Sequence, residues 1–161
     1  MEIQECLKNN IQTGRKIVVL GIGSVLRSDD AAGMYLIELL RDHVKREDVL
    51  LIAGSTAPEN FTGVIKKFTP YKLFIVDAAH MGLLPGEAKV IPVCDIGGVS
   101  FSTHMLPLPV MLKYLESESG CGVLFIGIQP KSTEQGLEMC DEVKKGTERL
   151  ADDFCKAFEC M

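Results

Sequence analysis

No stretch of this 161-residue chain approaches the run of about 18 apolar residues that a membrane-crossing helix needs. Its opening, MEIQECLKNNIQTGRK, also lacks the apolar block of a secretory signal. The expectation is therefore a cytoplasmic protein with no membrane partner. Basic charge is not in excess either: 17 Lys and Arg face 22 Asp and Glu, a formal charge of -5. Nucleic acid is excluded as a partner, because no basic stripe is left to neutralise its phosphates. Six cysteines are present, but none forms C-x-x-C and no export signal accompanies them, so they read as reduced thiols. Cys140 and Cys155 fall in a helical pattern and are expected to face the core. Repeats, low-complexity tracts and linkers are missing, which leaves one domain over residues 1–161, with 1–15 an extension ahead of the first strand. A chain of this length buries about 70% of its unfolded surface and needs no staples.

What is there alternates between short apolar runs and segments of helical period, the pattern of an α/β layer fold. Lys16 to Gly21, Val49 to Ala53, Lys72 to Asp77 and Gly122 to Ile128 read as buried strands, and Ala88 to Val93 as a weaker fifth. Helical faces are marked by Ala32, Leu36, Leu39, Leu40 and Val44; by Phe61, Val64, Ile65 and Phe68; by Leu108, Met111, Leu112 and Leu115; and by a last run from Cys140 to Phe158. Only about ten residues separate the third strand from the fourth, fewer than a parallel crossover uses. The predicted fold is a three-layer α/β/α sandwich around a mostly parallel twisted five-stranded sheet with one antiparallel strand. In such sheets, ligands gather beyond the carboxyl ends of the strands.

Three loops can deliver polar groups to that edge. The first, GIGSVLRSDDAAG at 21–33, resembles a dinucleotide fingerprint, but Leu26 stands at the third glycine position and Asp29 and Asp30 would repel a pyrophosphate. One of these acids suffices to cap the following helix, and the other is open to a cation. Gly21 and Gly23 are expected to turn the loop, and Gly33 to let the helix close on the sheet. Asp77 follows four apolar residues at the third strand's end, where it forms an Asx turn or binds a cation. His104 sits in FSTHMLPLP at 101–109, which leads into the third helix. His80 reads as a turn residue, and His43 as a cation at a helix C-terminus. An imidazole with two carboxylates suits Zn, Ni or non-haem Fe and leaves coordination positions open.

These residues resemble the hydrogenase maturation endopeptidases, which trim the large subunit of [NiFe] hydrogenases. The resemblance runs from about Lys16 to Pro130, through GIGSVLRSDDAAG, STAPEN at 55–60, KLFIVDAAHMGLLPGE at 72–87, STHMLPL at 102–108 and FIGIQP at 125–130. STAPEN, MGLLPGE and GIQP are most similar to the formate-hydrogenlyase and methanogen-type branch. Ser24 departs from the family, which commonly carries Asn there. The resemblance implies an α/β/α sandwich and an aspartic-type, nickel-dependent endopeptidase. Its metal ligands fall on Asp30, Asp77 and His104, leaving Asp29 mainly to cap. The partner it implies is the large-subunit precursor, whose C-terminal extension is removed after nickel insertion. The nickel would come with that substrate, zinc or cadmium standing in for it in vitro, and the enzyme would act as a monomer. Alternatives from other classes are a non-catalytic nickel-sensing chaperone of the same subunit and a receiver-like phosphoacceptor module using Lys131.

Overall fold

The computed structural model describes residues 2–98, 100, 101 and 108–159. Strands are β1 (Ile17–Ile22), β2 (Val49–Ser55), β3 (Lys72–His80), β4 (Ala88–Ile91), β5 (Ser100–Phe101) and β6 (Gly122–Ile128). Helices are α1 (Ile3–Asn10), α2 (Ala32–His43), α3 (Thr62–Phe68), α4 (Leu108–Ser119) and α5 (Asp141–Glu159). The main sheet runs β2-β1-β3-β6-β4. Its first four members are mutually parallel, and β4 lies antiparallel against β6. The reversed strand is thus the one the short connection predicted, although β6 is inserted between it and β3. The two residues of β5 pair antiparallel with Ala79 and His80, so β3 continues three residues past Asp77 instead of ending there.

Alternation along the central strands sorts the core into two layers. Ile17, Val19, Phe74, Val76, Ile126 and Ile128 face one side, under α2 and α5. Val18, Leu20, Leu73, Ile75, Val123 and Phe125 face the other, under α3 and α4. Strands buried on both faces show no polar alternation, which is why they read as continuous apolar runs. Phe154 of α5 meets Phe74 edge to face at 5.4 Å and stacks on Phe158 at 5.9 Å. Fully burying a side chain of this size contributes about 1.5–3 kcal/mol.

The extension is not featureless: Cys6 and Leu7 of α1 are fully buried, Ile3 packs beside them, and the helix lies against α5. The i, i+4, i+8 spacing of Ile3, Leu7 and Ile11 carries that signal. The α4 face is as predicted, with Leu108, Met111, Leu112 and Leu115 buried. On α3 only Ile65 is fully buried, and Val64 is 51% exposed because the helix is too short to turn a fourth residue inward. Cys140 and Cys155 pack against the core only in part. Among the described residues, no helix is long and apolar enough to cross a membrane.

Candidate active site

β1 delivers the first loop to the middle of the sheet edge. Gly23 follows it at φ +131°, a conformation side chains rarely adopt, and a Cβ there would collide with the Asp30 carbonyl oxygen. The same Cβ would lie 3.6 Å from Asp77 Oδ1. Gly23 therefore marks the place where the Asp30 backbone and the Asp77 carboxylate come together, one from the first loop and one from β3. The chain then makes a 3-10 turn at Ser28–Ala31 before α2 begins. Gly33 lets the helix close on the sheet as expected, and Gly21 shares that role instead of turning the loop. Each lies where a Cβ would meet neighbouring backbone, Gly21 against the Gly33 carbonyl and Gly33 against the Ile22 and Val76 carbonyls, so the start of α2 sits directly on β1 and β3.

Asp30 is fully buried, and its Oδ2 accepts the Ser24 N–H at 2.8 Å. Asp77 is also fully buried and opposite Gly127 of β6; its Oδ1 accepts the Ala78 N–H at 2.8 Å. Both carboxylates thus take amide donors while lying at the carboxyl edge of the sheet. Two buried acids are costly unless donors or a cation offset their charge. As oxygen donors they suit a divalent ion, and a neutral imidazole would extend the set. Among the described residues no group of three or more His, Cys, Asp or Glu converges as a metal site. His104 lies outside the described residues, together with Ser102 and Thr103. His80 is exposed at the end of β3, and His43 closes α2.

Asp29 departs from the capping role. Neither the 3-10 turn nor α2 has a side-chain cap. The Asp29 carboxylate, fully buried, instead points to the segment after β6. Its Oδ2 accepts the N–H groups of Lys131 at 2.8 Å and Ser132 at 3.0 Å, and its Oδ1 accepts that of Cys140 at 2.8 Å. The Cys140 thiol donates to Oδ2 at 3.4 Å. Burial first, and then this carboxylate, push that thiol up to about 11, so it stays protonated and remains a donor at neutral pH.

Gln129 holds the neighbouring loop in a similar way, and sequence reasoning assigned it no part. Its Oε1 accepts Met81 N–H at 2.7 Å and Leu83 N–H at 3.2 Å, while its Nε2 donates to the Pro130 carbonyl at 3.0 Å. The backbone adds Gly86 N–H to Gln129 O at 2.9 Å and Gln129 N–H to Glu87 O at 2.8 Å. GIQP and MGLLPGE are thus two halves of one clasp beside Asp77. A polar residue at the end of an apolar strand was the available signal.

A mixed α/β sheet with buried acids at its carboxyl edge carries its candidate site on the loops where such folds bind their ligands. Comparison with known proteins narrows this. The family described as hydrogenase maturation protease, HycI, matches residues 34–157. The Hydrogenase 3 maturation protease of Escherichia coli K12 is 36% identical, with 83% of this chain and 85% of that one covered. A Methanocaldococcus jannaschii chain named as a hydrogenase maturation protease is 32% identical, covering 98% and 96%. Among solved structures, the [NiFe] hydrogenase maturation protease HycI from Thermococcus kodakarensis KOD1 superposes with a TM-score of 0.87 at 34% identity, covering 96% of this chain and 99% of its own. The chain belongs to the hydrogenase maturation protease family and is a hydrolase of the HycI kind.

Proposed function

We propose that this protease removes the C-terminal extension of a [NiFe] hydrogenase large-subunit precursor once nickel has been inserted. In this reading Asp30, Asp77 and His104 engage the nickel held by the precursor, so that the metal is part of the substrate and marks it as ready. The observation that carries the reading is that Asp30 and Asp77 are both fully buried, with the Asp30 backbone and the Asp77 carboxylate brought together at Gly23, in a chain of this family. Nucleophilic proteolysis would need a Ser, Cys or Thr held by an oriented base. Buried Cys6 and Cys121 and the protonated Cys140 do not fit that part. In this reading water is the nucleophile: its hydroxyl joins the scissile carbonyl carbon, the C–N bond breaks, and its proton ends on the leaving amine. A buried carboxylate is suited to holding that proton in transit.

The test is incubation with nickel-loaded and nickel-free precursor, followed by intact-mass measurement. The loaded precursor should lose its C-terminal segment while the nickel-free form stays whole. Asp30→Asn keeps shape and removes charge, and should lower the cleavage rate by about 100-fold or more. His104→Ala should do the same and abolish binding of zinc or cadmium to the isolated enzyme. Efficient cutting of nickel-free precursor overturns the reading. Tight binding of loaded precursor without cleavage would make the protein a chaperone instead.

A further inference from the structure

Asp29 is the buried charge to which the proposed chemistry gives no task. It is fully buried beside Asp30, and it does not cap its own helix. Its oxygens gather three backbone amides from a segment about a hundred residues further along the chain. The tie runs both ways, since the Asp29 N–H donates to the Ser132 carbonyl at 3.1 Å. Ser28, just before it, is held at φ +50°, a left-handed conformation costly for a non-glycine residue. It is kept there by its N–H on the Leu137 carbonyl at 3.1 Å and its Oγ–H on the Glu138 carbonyl at 3.0 Å. Arg27 Nε reaches the Thr133 carbonyl at 3.2 Å. The turn that carries Asp30 is therefore shaped by the 131–140 segment, and Asp29 supplies the charged end of that connection.

We propose that Asp29 is a positioning residue for the protease reaction: by binding the amides of Lys131, Ser132 and Cys140 it fixes the 3-10 turn so that the Asp30 carboxylate stays on the Ser24 amide. The inference rests on the role given to Asp30 above. An ionised carboxylate suits the task because three N–H groups converge on two oxygens, and hydrogen bonds to a charged acceptor are roughly twice as strong as neutral ones. An amide in its place would turn an NH2 toward at least one of those donors. A shift of about 1 Å in a catalytic group can cost on the order of 100-fold in rate, so a small relaxation of the turn is enough.

The experiment compares wild type with Asp29→Asn by amide hydrogen exchange in the folded protein and by precursor cleavage. Exchange at Lys131, Ser132 and Cys140 should quicken about tenfold or more, and exchange at Ser24, whose amide Asp30 holds, should quicken with it. Cleavage of nickel-loaded precursor should lose about 10- to 100-fold in kcat, with KM changed less than about threefold. In an Asp30→Asn background the same substitution should cost less than about twofold, because its effect passes through Asp30. Unchanged Ser24 exchange, or losses that multiply in the double variant, overturns the proposal. Should wild type leave the precursor uncut, the functional reading fails while Ser24 exchange still decides the positioning. Should Asp29→Asn not fold, Cys140→Pro removes two donors, the Cys140 amide and thiol, and keeps the carboxylate, and Ser24 exchange should quicken about threefold; no change there also overturns the proposal.

Discussion

Two places in this molecule press backbone against a helix with no room for a Cβ, and they lie in different parts of the same sheet edge. In the centre, Gly21 of β1 meets Gly33 of α2, and Gly33 in turn meets the Ile22 and Val76 carbonyls. At the outer strand, Gly86 meets the Glu142 carbonyl of α5, and Gly146 of α5 meets Gly86. The packing device is the same, yet the first lies directly under Asp30 and Asp77, whereas the second braces the MGLLPGE turn next to β4. The difference shows that close packing here serves two ends. At the centre it seats the start of α2, and with it the loop that carries Asp30, on β1 and β3, and at the edge it holds the turn before β4 on α5.

The largest effect should come from Gly23→Val, which puts a β-branched side chain at φ +131° and against the Asp30 carbonyl. The strain alone is on the order of several kcal/mol. Cleavage should fall below detection in the intact-mass assay, even in preparations that fold by circular dichroism. Normal cleavage by a folded Gly23→Val protein would show that the central contact does not shape the site.

Gly146→Ala breaks the outer contact instead. Overpacking of this kind costs about 1–3 kcal/mol, which lowers the melting temperature of a chain this long by roughly 3–12 °C. Below that temperature kcat should stay within about twofold of wild type. A large loss of kcat without a loss of stability would mean that the outer strand communicates with the acids after all.

A smaller effect is expected from thiol modification. Burial pushes the thiols of Cys6, Cys121, Cys140 and Cys155 up, which keeps them protonated and poorly nucleophilic near neutral pH. Among the described residues only Cys94 is an exposed cysteine, so a disulfide reagent should label it first, with the other four slow. Proteolytic activity should survive that first labelling. Inactivation in step with modification of any one of those four thiols would reopen the case for a cysteine nucleophile.

The strands and the α4 and α5 faces were legible because a core strand or a helical stripe is a local pattern. The first loop was legible as a place but not as a geometry. That Asp29 and Asp30 share an edge with Asp77 follows from strand ends, but which neighbour each carboxylate takes depends on a segment some hundred residues away. Local pattern places Asp29 on its own helix, where the nearest orphan amides lie, and the structure gives it to Lys131, Ser132 and Cys140. Gln129 carries no local signal of its partners for the same reason, since Met81 and Leu83 are distant in sequence. Helix α1 was missed because its apolar stripe is short and framed by polar residues.

Lys131 carries both kinds of interaction and gives the smallest expected effect. Its backbone N–H belongs to the buried Asp29 group, while its Nζ pairs with Glu142 Oε1 at 2.9 Å on the surface. The ammonium holds the Glu142 carboxyl down at about 2, from an ordinary value of 4.5. A lowered carboxyl contributes stability above its unfolded value and loses it as pH falls through the folded one, so the window lies between about 4.5 and 2. Both side chains are about half exposed, and water and salt screen such a pair heavily. Lys131→Met removes the pair and leaves the amide on Asp29. The melting temperature at neutral pH should move by no more than about 2 °C, cleavage should be unchanged, and the difference should shrink as pH is lowered through that window. A drop of several degrees together with faster Ser24 exchange would mean that the lysine side chain, and not only its backbone, supports the turn that carries Asp30.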